Sequence, residues 1–157
     1  MSTTSDELKA RARRLAEEVL GQGDLAVAGE LISADYTHHG PGEQPARGLA
    51  GLKEIVTLMH RTFPDFHVIV EDEIAEGNRV VQRMTIRGTS RVEVMGSAPR
   101  AKQVSLCAID INRVGPDGKF VEHWSSVDLL GLVHHLNSLS TESKPGHLSA
   151  AIRDQEQ

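Results

Sequence analysis

Asp110 and His123 are the two residues of this chain whose types and spacing best suit acid–base chemistry. Each sits in a run rich in β-branched and aromatic residues, Ile109-Asp110-Ile111 on one side and Phe120-Val121-Glu122-His123-Trp124 on the other. Between them stands Gly115-Pro116-Asp117-Gly118, a composition that reverses a chain between two strands. With those residues as the loop, Val114 pairs with Lys119 and Asp110 stands opposite His123. Alternation then puts Ala108, Asp110 and Asn112 on one face with Val121, His123 and Ser125. Ile109, Ile111 and Trp124 take the other face. An imidazole beside a carboxylate can act as general base or acid near neutral pH, because that is where imidazole titrates. The same pair would serve equally as a satisfied polar contact within a sheet.

Other residues join the pair as candidates for binding. Asn112 and Ser125 share its face and can supply hydrogen bonds. His38 and His39 run into the Gly40-Pro41-Gly42 loop, where neighbouring side chains point opposite ways, so at most one faces inward. His39 is placed at the polar end of a substrate. No HxxxH, HxH or carboxylate spacing accompanies these histidines, so no metal is expected. Trp124 is a core residue by alternation, and a single bulge would turn it toward a ligand. Asp128, between a strand and a helix starting at Leu129, suits a helix N-cap and is also kept as a substrate contact. Cys107 falls in a β-like run on the Trp124 face and reads as a packed thiol. No Gly-rich phosphate loop, GxSxG elbow or CxxC pair occurs.

The elements that must position these residues follow from periodicity. Leu8, Ala12, Leu15, Ala16 and Val19 repeat at helical spacing, with Ser5 or Asp6 as cap and Gly21 with Gly23 as stop. Asp24 can cap a short second helix. Gly48 to Thr62 carries Leu49, Leu52, Ile55, Val56 and Met59 on one stripe and ends before Pro64. From Phe66 the period changes to two. Strands are expected over 66–75, 78–89, 104–114 and 120–127, with 91–95 an edge strand or loop, and 129–139 closes as a helix. Residues 1–139 form one domain, and 140–157 read as a flexible polar tail. The result is an α+β fold in which a strongly curved antiparallel sheet wraps the N-terminal helices and leaves a hollow.

Composition narrows the class. A net charge of −5 with no basic stripe argues against a nucleic-acid partner. No apolar run approaches the roughly 20 residues that span a bilayer. Residues 1–14 carry charges with no apolar stretch behind them, so a secretory signal is not expected. With one cysteine, Cys107, the reading is a cytoplasmic protein without a disulfide framework.

Taken in order, several short motifs resemble those of the SnoaL-like polyketide cyclases (ester cyclases) of the nuclear-transport-factor-2-like superfamily. They are Gly21-Gln22-Gly23-Asp24, Asp35-Tyr36 through His39, Gly48-Leu49 with Gly51-Leu52-Lys53, and Phe63-Pro64-Asp65. Glu76-Gly77-Asn78-Arg79-Val80, Ile109-Asp110-Ile111, Gly118 through Trp124, and Leu130-Gly131-Leu132 complete the series. The resemblance runs from about Arg13 to Leu139. It implies a cone-shaped, cystatin-like α+β barrel with an apolar pocket, usually a homodimer, working without cofactor or metal. The implied reaction is intramolecular aldol closure of a hydrophobic, carbonyl-rich polyketide, with Asp110 and His123 as acid/base pair. In the family the acid follows the His-Trp pair directly, and here Ser125 stands there. Alternatives on the same fold are a non-catalytic binding or dimerising partner, a hydroxylase, an isomerase and an epoxide hydrolase.

Overall fold

A computed structural model describes residues 4–42, 44–90, 93–94 and 102–137. The expected tail, and most of the 91–95 segment, lie outside the described residues. In chain order the helices are α1 (Ser5–Arg14), α2 (Leu25–Leu31), α3 (Gly48–Thr62) and α4 (Leu129–Asn137). The strands are β1 (Ile32–His39), β2 (Ala46–Arg47), β3 (His67–Glu76), β4 (Arg79–Ser90), β5 (Lys102–Val114) and β6 (Phe120–Val127). They form one six-stranded sheet in the order β2-β1-β6-β5-β4-β3. The sheet is curved and unclosed, and the helices α1 to α3 pack against β1, β3 and β4.

Local chemistry sets the helix ends. Thr4, not Ser5 or Asp6, caps α1, its hydroxyl accepting from Glu7 N while the Glu7 carboxylate accepts from Thr4 N. Asp24 caps α2 by accepting from the amides of Ala26 and Val27. Between α1 and α2 the helix widens to π geometry over Leu15–Gly21. Gly21 ends that turn where a Cβ would come within 3.1 Å of Val68 N, so a larger residue would push the helix and β3 apart by a few tenths of an ångström. The main core gathers Leu8, Leu15, Val19, Leu31, Tyr36, Leu52, Val56, Met84 and Phe120.

Two features of the sheet were outside the sequence reading. The first is that β1 runs parallel to β6, with His38 beside His123 and His39 beside Trp124. The second is the hairpin register. Val114 pairs with Phe120, and a bulge at Val121 follows, so His123 pairs with Asn112 and Asp110 with Ser125. The expected Val114–Lys119 and Asp110–His123 pairings are each displaced. The turn is one residue longer than expected, with Gly115 N donating to Lys119 O, and the bulge adds one more. A slip of one residue would have turned every side chain over, whereas two restore the original face. Phe120, rather than Val121, therefore points inward beside His123.

Candidate active site

Three neighbouring strands contribute the site. β5 presents Asp110, β6 presents His123 and Ser125, and β1 presents Tyr36 and His38, all on the concave face. Asp110 and His123 are 3% and 1% exposed, so their charges and protons are governed by one another and by their neighbours. His123 Nε2 is 2.8 Å from Asp110 Oδ2. The approach is short but the ring nitrogen and the carboxylate are not aligned for a straight hydrogen bond. Among the described residues Asp110 Oδ1 has no hydrogen-bond partner.

The other side of the His123 ring is occupied. The Tyr36 hydroxyl and His38 Nδ1 each lie 3.0 Å from His123 Nδ1. Burial first, and the charge of Asp110 second, push the Tyr36 hydroxyl far above its ordinary titration range. Tyr36 therefore keeps its proton and donates it to Nδ1, which leaves the ring proton of His123 on Nε2, facing Asp110. His38 is pushed down to about 4, chiefly by burial and then by the adjacent His123 ring, against the opposing pull of Asp110. It is neutral at physiological pH and meets His123 edge to face, with ring centroids 4.6 Å apart. Its far edge packs on Gly40, where a Cβ would stand 2.5 Å from His38 Nε2.

Asp110, His123, Ser125, His38 and Arg87 form the polar and charged part of the lining of an apolar cavity of about 250 Å³. Leu20 from the π turn, Ile55 and Met59 from α3, Phe63, Phe66, Met84 and Leu106 supply much of the rest. The unusual helix turn thus has a consequence for the site, because it carries Leu20 into the wall.

The remaining sequence candidates fall elsewhere. His39 is on the convex face, stacked on Trp124 at 5.4 Å and bonded to Glu122 at 3.1 Å, so of the two histidines it is His38 that faces inward. Trp124 is half-buried on that same outer face, as alternation gives, since the bulge precedes it. Neither lines the cavity. Asn112 is buried beside His123 but turns toward Gln82, which donates to Glu73, itself paired with Arg13 at 2.5 Å. Asp128 caps α4, accepting from Gly131 N at 2.8 Å. Cys107, expected to be packed, is exposed. Tyr36 and His38 were missed as site residues. The signal available was parity, for the chain's one tyrosine lies two residues before His38 and carries a bulk that belongs inside. Among the described residues no group of three or more His, Cys, Asp or Glu is arranged to hold a metal ion.

The fold is a curved α+β cone whose apolar cavity carries a buried carboxylate–imidazole pair. The chain belongs to the SnoaL-like polyketide cyclase family, whose model matches residues 10–136. It is similar to IdmH, a proposed polyketide cyclase from Streptomyces antibioticus, at 29% identity over 83% of this chain and 98% of that one, TM-score 0.73. It is also similar to AclR, a proposed hydroxylase from Streptomyces galilaeus, at 26% identity over 90% and 87%, TM-score 0.73. TsrD from Streptomyces laurentii follows at 27% identity over 85% and 94%, TM-score 0.69. Among curated protein sequences nothing matches the chain.

Proposed function

We propose that this protein is a cofactor-free acid/base enzyme that closes a ring in a hydrophobic, carbonyl-rich molecule by intramolecular aldol addition. The observation that carries the reading is Asp110. Asp110 lines an apolar cavity, with one oxygen 2.8 Å from His123 Nε2 and the other without a hydrogen-bond partner among the described residues. Asp110 takes the proton from a carbon activated by neighbouring carbonyls. The enolate carbon then bonds to a second carbonyl carbon of the same molecule, and the Asp110 acid returns its proton to the new alkoxide. One carboxyl group thus balances the proton account. His123, locked as the Nε2–H tautomer by Tyr36, holds the carboxylate in place. Ser125, directly across from Asp110, offers a hydroxyl to the oxygen that gains charge.

Ser125 stands where the family's usual acid is expected, and Asp110 reaches the same cavity from the neighbouring strand. Polyketide-derived antibiotic biosynthesis, a cytoplasmic setting and a homodimeric state complete the proposal. It draws on the names of the similar Streptomyces proteins, and no described helix is long and apolar enough to cross a membrane.

The test uses 5-nitrobenzisoxazole, a small apolar carbon acid whose ring opens when a base removes its C–H proton. Catalysed release of the coloured phenolate is expected from the wild type and at least a tenfold lower rate from Asp110→Asn. Equal rates for the two proteins, or no catalysis by the wild type, would sink the assignment.

A further inference from the structure

The acid/base machinery uses no arginine, yet Arg87 borders the cavity together with its strand neighbours Ile86 and Gly88. Side chains of a strand alternate between faces, so three consecutive residues border one cavity only at its rim, where wall gives way to solvent. Exposure agrees. Of the residues that line the cavity, Pro41 and Arg87 are the exposed ones, and Arg87 carries the charge. The cavity is partly open, and Arg87 brings a cation to an opening. An arginine stem can lie on an apolar rim while its guanidinium stays in water. The backbone is fixed there by Phe63, since a Cβ at Gly88 would stand 2.9 Å from Phe63 Cβ.

The same arginine lacks a counter-ion. β4 carries Arg79, Arg83 and Arg87 at every fourth position. Arg83 stands across from Asp72 and Arg79 across from Glu76, whereas Arg87 stands between His67 on β3 and Ser105 on β5. Asp65, held at Thr89 two residues further along, has both oxygens engaged there. Among the described residues no hydrogen bond or ion pair reaches the Arg87 guanidinium. Resting on the acid/base reading for the end that reacts, we infer that the ligand is amphiphilic, its apolar body filling the cavity and a terminal oxyanion pairing with Arg87. A guanidinium presents paired donors that match a carboxylate or a phosphate. On a chain of net charge −5 an anion needs such a local cation, and the Asp110 carboxylate repels it from the inner end. Register sets the length. Arg87 pairs with Ser105, which precedes Asp110 on the same strand. The intervening stretch of β5, at about 3.3 Å per residue, spans roughly 16 Å. The oxyanion and the reacting carbon are a comparable distance apart, so the ligand is long and enters reactive end first.

Isothermal titration of the full chain at neutral pH with decanoate, decyl phosphate and 1-decanol tests the assignment. Expected is at least one of the two anions binding tenfold or more tightly than the alcohol, and the tighter of the two identifies the head group. Arg87→Gln should bring that anion within threefold of the alcohol. Arg83→Gln, one step along β4 and facing Asp72, should keep the tenfold preference. Equal binding of anions and alcohol by the wild type overturns the inference, and so does binding of no probe. Loss of the preference in both variants also overturns it, because diffuse surface charge would then be the cause. The chemistry is tested apart from the ligand. Asp110→Asn should retain the anion preference, so a failed 5-nitrobenzisoxazole comparison with the preference intact removes the reaction and keeps the ligand class. A lost preference with that comparison intact does the reverse.

Discussion

The two faces of the β5–β6 hairpin are opposite in composition to what their surroundings would suggest. The buried face carries Asp110, Asn112 and His123, while the outer face carries Cys107, Ile109, Ile111 and Trp124. Ile109 is 49% exposed although it sits between Ala108 and Asp110, which are nearly inaccessible. Exposed apolar residues are common and need no special account, but buried polar ones are expensive and must be matched. The inner face meets part of that demand with contacts of Asp110 to His123, His123 to Tyr36 and His38, and Asn112 to Gln82. The unmatched atoms among these side chains are Asp110 Oδ1, Asn112 Oδ1 and His123 Nε2, and both Asp110 and His123 line the cavity. On this hairpin, burial of polarity rather than hydrophobicity marks the working surface.

Substitutions on the two faces should separate by size of effect. The largest is expected for Asp110→Asn, with rates on the carbon-acid probe down tenfold or more, while Trp124→Phe on the outer face stays within twofold. Steady-state kinetics of the two variants side by side would show it. Next, His123→Ala strands the Asp110 carboxylate in the interior, and denaturant unfolding should report a loss of about 3–5 kcal/mol. The near-complete burial of both partners is the reason to expect a loss of that size.

The third effect is a pH dependence. His38 titrates at about 4 in the folded chain and near 6.5 when unfolded, so between those values the unfolded state binds more protons. Stability contributed by neutral His38 is complete above pH 6.5 and declines as pH falls toward 4. His38→Gln, which has no proton to take up, should flatten that limb of the stability–pH curve. An unchanged slope would show that other groups set it. A smaller effect is expected from Gly40→Ala, whose Cβ pushes on His38 Nε2 and should slow the probe reaction severalfold with little change in melting temperature. Smallest of all, Ile109→Thr on the exposed face should move unfolding free energy by less than about 0.5 kcal/mol and leave the rate alone.

Much of the inner face was legible because strand alternation is a local property. Asp110, His123 and Ser125 share a face whether the turn is read one residue short or not, provided the errors come in pairs. That is what the longer turn and the bulge at Val121 supplied. The bulge itself carries no strong signature, since Val121 is an ordinary strand residue. The choice between His38 and His39 was not legible from their own neighbourhood. Two adjacent histidines before a Gly-Pro-Gly loop are symmetric by type, and what separates them is the partner strand, β6, some 85 residues away in sequence. Tyr36 was the available tie-breaker. Cys107 was misplaced because a β-like run was equated with a buried one, whereas its face of β5 is the open side of the sheet.

The parallel pairing of β1 with β6 also fixes the order in which the site can come into being. Helices α1 to α3 and the β3–β4 hairpin are built from contacts close in sequence and can form early. The polar cluster cannot, because Tyr36 and His38 wait for a strand that ends at Val127. On a ribosome, the chain must emerge through β6 before His123 finds its neighbours. Until then the cavity wall is incomplete and its apolar lining is open to water. The cost of joining two distant stretches of chain therefore falls on the step that completes the site.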